Sequence, residues 1–210
     1  MKNLIYSLLL GVSVFSSAVL HAAETPTNQP ASLLSASEQE GILLMREEEK
    51  MAHDVYQAMY QKWQQPIFKN ITQSEQSHMA AMKTLIDYYG LTDPIKNQTG
   101  QFTNPTLQAT YDRLIAKGNN SLQDALLVGA EIEDMDIADL DRLIQTSKQP
   151  NIKTVYEQLN RGSRNHMRGF SRQLKRFNMN YTPQHISATQ YQQIVSSGTE
   201  RGYGRFAPRN

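Results

Sequence analysis

The chain is predicted to be all-α: four long helices arranged as two antiparallel hairpins, joined by a long crossover that contains a short helix. Three observations predict this. Apolar residues recur every three or four positions through four separate stretches, no stretch shows a convincing strand pattern, and the breaks between stretches run short, long, short. A short break returns the chain antiparallel beside itself, while a long one carries it across to start a second pair.

The first 23 residues precede the fold. Met1-Lys2 opens an apolar run from Leu4 to Leu20, and His21-Ala22-Ala23 closes it before the first acid, Glu24. That is the layout of a secretory signal peptide, cleaved after Ala22 or Ala23, although neither site has a small residue at the upstream position. The mature protein is therefore expected to be secreted, with a periplasm as the compatible compartment, and to have no membrane span. Residues 24–36 hold too little apolar content to pack and read as a flexible leader.

The helical domain is predicted over 37–180. Ser37 with Glu40 has the capping-box spacing, and Met45, Ala52, Val55, Tyr56 and Met59 follow at helical intervals until Gln64-Gln65-Pro66. After a short connection through Ile67 and Phe68, the second helix shows Ile71, Glu75, His78, Met82, Leu85 and Tyr89 on one face and ends at Gly90. The crossover runs through Thr92-Asp93-Pro94 and Gly100 to Pro105, with a short helix over Thr106–Lys117 that Gly118 stops. Ser121 caps the third long helix, whose inner face carries Leu122, Ala125, Leu126, Gly129, Glu133, Asp136 and Leu140. Pro150-Asn151 opens the fourth, with Val155, Leu159, Gly162, His166, Phe170 and Phe177 in line. Residues 181–210 form an extension whose Gly- and Arg-rich end is expected to be disordered.

Composition removes several classes of function. Without Lys2 the mature chain holds 20 basic and 20 acidic residues, a balance that implies no nucleic-acid partner. There is no cysteine, so disulfides, thiolate metal sites and thiol nucleophiles are excluded, and oxygen and imidazole remain as metal ligands. The 187 residues after position 23 suit one domain with a substantial core.

Glu75 and His78 form a Glu-x-x-His step, which projects a carboxylate and an imidazole from one face of a helix. With Thr72 as an N-cap, Glu75 could instead close a capping box and His78 be a hydrogen-bonded core histidine. Their register with Ile71, Met82, Leu85 and Tyr89 argues for the metal, because unpaired charge pointed into an apolar interior is costly and a cation removes that cost. In Glu47-Glu48-Glu49, the phase set by Ala52 and Val55 puts Glu48 and Glu49 inward and Glu47 outward. Glu133 and His166 lie equally far from the turn near Gln149-Pro150, so an antiparallel hairpin brings them to one height. Glu131, two residues from Glu133, falls on the far side and is expected at the surface. Asp136, one turn on, is a candidate acceptor for an imidazole N–H. His53 and His185 have no partner at ligand spacing, His21 falls in the signal peptide, and Met45, Met59 and Met82 read as core filler.

Taken in order, Glu49-x-x-Ala52-x-x-x-Tyr56 and Glu75-x-x-His78 resemble the first half of the ferritin and rubrerythrin di-iron pattern. The fuller wording, Arg46-Glu47-Glu48-Glu49-Lys50 with Asp54-Val55-Tyr56, Ser74-Glu75-Gln76-x-His78-Met79, Gly129-Ala130-x-Ile132-Glu133 and Gly162-Ser163-x-Asn165-His166, is similar to a ferritin-like family catalogued as domain of unknown function 2202. The resemblance covers roughly Ser37 to Asn180. It implies a ferritin-like four-helix bundle, defines no activity, and favours Glu49 over Glu48 by the spacing to Tyr56. Mirroring Glu49 through a turn at Gln65 sets it opposite residue 81, so a helix tilt or a longer unwound connection is expected to level it with His78. A rubrerythrin-like fourth helix would carry a carboxylate three residues before His166, where this chain has Ser163. Glu157 faces the wrong way to replace it.

The implied ligand set is Glu49, Glu75, His78, Glu133 and His166, with Tyr56 as a core tyrosine or a redox-active neighbour. It suffices for one metal ion, or for two with water completing the coordination. The first expectation is an exported oxidoreductase using one or two iron ions, or manganese, with dioxygen or peroxide. Zinc is a further option for the metal, and a homodimer for the assembly. The rival expectation is a non-catalytic metal-binding or interaction module, in which the cation is a staple. A third is a dry bundle in which Glu75 and His78 pair with each other or with arginines.

Overall fold

In the computed structural model, which describes residues 33–202, six helices occur: α1 (Ala36–Trp63), α2 (Pro66–Tyr89), α3 (Pro105–Gly118), α4 (Leu122–Thr146), α5 (Pro150–Lys175) and α6 (Ala188–Ser196). No strand occurs among the described residues, and none of their helices is long and apolar enough to cross a membrane. The predicted signal peptide, most of the leader and residues 203–210 lie outside the described residues.

Local chemistry sets each boundary. Ser35, not Ser37, caps α1: its hydroxyl accepts from the Glu38 N–H while the Glu38 carboxylate reaches back to the Ser35 N–H. Leu34, within the predicted leader, is buried, and the capping box lies two residues before the expected one. Gln64 takes a left-handed conformation with φ 53°, Gln65 is extended, and Pro66 opens α2 at a position where a missing N–H costs nothing. Phe68 therefore sits inside α2, fully buried, and Thr72 is an interior residue whose hydroxyl donates to the Phe68 carbonyl, which removes the alternative of a Thr72 cap. Asn104 and Ser121 cap α3 and α4, and Pro150 opens α5.

The pairing of side chains along the helices is antiparallel in both hairpins. Arg46 donates to the Met79 carbonyl while Glu49 meets His78, and on the other side Asp141 accepts from Asn160 while Asp136 accepts from Ser163. The α1–α2 pair faces the α4–α5 pair through α1 against α4 and α2 against α5, and α3 lies across α1 and α4. Helix α6 rests on α5, where Arg168 binds the Ile194 carbonyl and the Glu200 carboxylate. Phe177, expected on the inner face, lies past the end of α5 and is 40% exposed.

The apolar interior divides into two clusters. One centres on Tyr56, Phe68 and Phe170, whose rings lie 5.5–6.4 Å apart; the other gathers Ile42, Met45, Met82, Ile86, Leu140 and Tyr156. Three long helices pass from one cluster to the other through acidic, hydroxyl or imidazole residues: Glu48-Glu49 on α1, Glu75 to His78 on α2 and Ser163 to His166 on α5. On α4, Glu133 and Asp136 are interleaved with Ile132 and Ile137 of the first cluster. A polar layer thus crosses a core that would otherwise be continuous.

Candidate metal centre

Glu75 is the middle of that layer. Its Oε2 lies 2.7 Å from His78 Nδ1, and its Oε1 lies 3.0 Å from His166 Nδ1. Glu49 Oε2 stands 3.1 Å from the same His78 nitrogen, and Glu133 Oε2 stands 3.5 Å from the His166 nitrogen. The layer therefore holds two trios, Glu49–Glu75–His78 and Glu75–Glu133–His166, each with its ligand atoms within 4.8 Å of one another and with Glu75 common to both. Among the described residues these are the groups able to share one ion directly. The imidazole rings lie 5.7 Å apart, centroid to centroid.

All five sequence-predicted ligands are thus brought together. Neither a tilt nor an unwound connection is needed for Glu49, because the chain reverses in the two residues Gln64-Gln65 and the mirror point falls at the end of α1. Gly162 lets α5 approach α2 closely enough: a Cβ there would lie 2.6 Å from His78 Cε1 and Nε2.

The surrounding contacts orient the set. Tyr56, fully buried, donates its hydroxyl to Glu133 Oε1 at 2.5 Å, so it serves as the core tyrosine with a partner. Ser74, which sequence reasoning did not single out, bonds His166 Nε2 at 3.1 Å. The i−4 spacing from His78 could have flagged it. Asp136 accepts from Ser163 at 2.9 Å, not from an imidazole. The position where the ferritin-like pattern has a carboxylate is thus filled by a serine that holds a carboxylate from α4.

Electrostatics follow from burial. Burial drives the Glu49 carboxyl up to about 8 despite His78 beside it. Burial also raises Glu133, Asp136 and the Tyr56 hydroxyl, the last two helped by neighbouring carboxylates. Burial would raise Glu75 too, but the two imidazoles outweigh it and hold that carboxyl well below its ordinary value. In turn Glu49, Glu75 and Glu133 overcome the burial of the imidazoles, lifting His78 well up and His166 to about 10. Two buried atoms of the trios stay unmatched. Glu49 Oε1 in one trio and His166 Nδ1 in the other have no hydrogen-bond partner, the latter despite the nearby Glu75 oxygen, because the contact is misaligned. An unmatched acceptor and an unmatched imidazole nitrogen, one per trio, are what a donor set for a cation leaves behind.

Access is from the α2–α5 side. A cleft of about 330 Å³, walled by Ile67, Asn70, Asn165, Gly169 and Arg172, has His166 among its lining residues.

Several expectations away from the centre are corrected. Glu47 and Glu131 are buried, not at the surface, because the crossover covers their faces: Glu47 accepts from the Thr103 and Asn104 N–H groups, and Glu131 pairs with Arg113 and Lys117. His53 is partly buried against Asp54, whereas His185 is exposed. Beside His166, Arg164 binds the Glu200 carboxylate and Asn165 the Glu200 carbonyl.

Residues 38–198 match the family model described as "Uncharacterized protein domain (DUF2202)". The chain is similar to Uncharacterized protein MJ0754 of Methanocaldococcus jannaschii, 52% identical over 177 residues that cover 84% of this chain and 96% of the relative. It is likewise similar to the crystal structure of hypothetical protein MJ0754 from Methanococcus jannaschii, with a TM-score of 0.78, covering 80% of this chain and 96% of that one. The chain belongs to the DUF2202 family.

Proposed function

We propose that the four long helices form a ferritin-like four-helix bundle whose polar layer binds one or two metal ions, and that the protein is an exported oxidoreductase acting on dioxygen or peroxide. The observation that carries this reading is the pair of trios sharing Glu75, each with one unmatched buried ligand atom. An oxygen-rich set with two imidazoles suits iron first, then manganese, with zinc as a redox-inert competitor. Glu49, Glu75 and His78 would hold one ion, and Glu75, Glu133 and His166 the other. Bound iron or manganese would supply the electrons that dioxygen or peroxide accepts. The chain's own residues do the rest. Tyr56 and Ser74 fix the orientation of Glu133 and His166, the two apolar clusters keep water from the sides, and the cleft at His166 admits a small oxidant.

Anaerobic addition of ferrous iron followed by air or hydrogen peroxide tests the reading. The expected result is one or two irons retained per chain and an optical change on oxidation that Glu75→Gln abolishes. Retention of stoichiometric zinc alone, with no spectral response to iron and oxidant, would sink it. The non-catalytic staple has its own support in the near-complete burial of Glu49, Glu75 and Glu133. It predicts the same metal content with no oxidant consumed.

A further inference from the structure

A second group of carboxylates, partly within the polar layer, belongs to neither trio. Between α1, α3 and α4 lies a partly open pocket of about 240 Å³, walled largely by Met51, Leu107, Ile132 and Met135, with Glu48, Asp136 and Asp139 also lining it and His185 reaching it from the segment before α6. Glu48 is 8% exposed, and its Oε2 is buried without any hydrogen-bond partner. A buried carboxylate oxygen left without a partner calls for a counter-charge. Asp139 is partly exposed and already pairs with Arg142, so one cation on the outer side compensates one of the three acids. Asp136 lines this pocket and spends one oxygen on Ser163. The segment bearing His185 is fixed in place, because Asp134 collects the backbone N–H groups of Gln184, His185 and Ile186 at 2.6–2.9 Å.

We infer that this cavity is a second cation site, which takes a divalent ion of the magnesium and manganese class between Glu48, Asp136 and Asp139, with His185 at its edge. The ion keeps much of its water. The carboxylates do not converge closely enough to share a bare ion, unlike the two central trios. Six waters occupy about 180 Å³ at liquid density, so the cavity accommodates an ion with its inner hydration. Manganese and magnesium are commonly held in this way, by one or two carboxylates plus retained water.

Manganese(II) counting by equilibrium dialysis with electron paramagnetic resonance tests the inference on four proteins: wild type, Glu48→Gln, Asp139→Asn and the central variant Glu75→Gln/His166→Ala. The expected result is that the central variant still binds one manganese ion, that Glu48→Gln and Asp139→Asn each bind one ion fewer than wild type or bind it at least tenfold more weakly, and that these two keep their central ions. If Glu48→Gln and Asp139→Asn match wild type in both number and affinity, the inference is overturned whatever the centre does. If they lose an ion and Glu75→Gln/His166→Ala loses none, the outer site stands and the central one falls. Asp139 is partly exposed, so Asp139→Asn disturbs the fold less than neutralising the buried Glu48, and it decides the matter if Glu48→Gln fails to fold.

Discussion

Glu75 turns one oxygen to His78 and the other to His166, so neutralising it acts on both trios at once, whereas Glu49 and Glu133 each serve only one. In protein loaded with ferrous iron alone, Glu75→Gln is therefore expected to bring centrally bound iron below detection, while Glu49→Gln and Glu133→Gln each leave one trio's worth, as read by elemental analysis after dialysis. Equal losses from all three would mean that the trios are not separable units. The glutamine variants keep shape and remove charge, which matters in a layer where Glu49, Glu75 and Glu133 are 0–2% exposed and an unpaired ion is costly. The contrast between Glu48 and Glu49 makes the same point at single-residue resolution. Both are buried, yet Glu49 faces His78 across the hairpin and Glu48 faces the cavity under the crossover.

At the scale of elements, two contacts between helices decide whether the layer is assembled. A Cβ at Gly162 would press on the His78 ring, so Gly162→Ala is expected to displace that imidazole and weaken metal binding. The helix itself, relieved of a glycine, gains about 0.5–1 kcal/mol, which the overlap with the ring, costing about 1–3 kcal/mol, outweighs, so a thermal melt and a metal titration should both move down. The second contact is Glu38, which joins the start of α1 to the α4–α5 turn by accepting from Ser35, Ser147 and the Lys148 N–H. Burial would raise its carboxyl, but these hydrogen bonds outweigh burial and lower it from 4.5 to about 2. A carboxylate lowered on folding stabilises the fold above its unfolded value and loses that contribution as pH falls through its folded value. Wild type should thus exceed Glu38→Gln by on the order of 2 kcal/mol at pH 7, and urea melts should show the gap closing between pH 4.5 and 2. This contact also marks where the sequence stops being legible. Periodicity revealed an all-helical chain and the inward face of each long helix, because those follow from spacing along one element. The Ser35 cap, the burial of Glu47 and Glu131 under the crossover, and the meeting of Ser163 with Asp136 depend on which element covers which. Spacing holds no record of that.

For the whole molecule, the question is what the fold does without its metal. Each imidazole of the layer already lies within 2.7–3.5 Å of two carboxylate oxygens, so a metal-free centre pairs its own charges instead of exposing them. Two apolar clusters flank the layer and do not depend on it, and the strap formed by α6 and Glu200 holds α5 from outside through Arg164 and Arg168. Chelation is therefore expected to soften the protein without unfolding it. A ligand present at a hundred times its dissociation constant contributes about 2.7 kcal/mol. For a domain of this size that converts to a Tm lower by roughly 5–10 °C after metal removal, with helix content at 25 °C unchanged by circular dichroism. A staple behaves otherwise: when the cation organises the fold, its removal abolishes the cooperative transition. A melt of chelated protein that stays cooperative, and recovers its Tm when iron or manganese is returned, fits a centre whose metal is there to react. Loss of the transition would instead mean that the ion holds the two hairpins together.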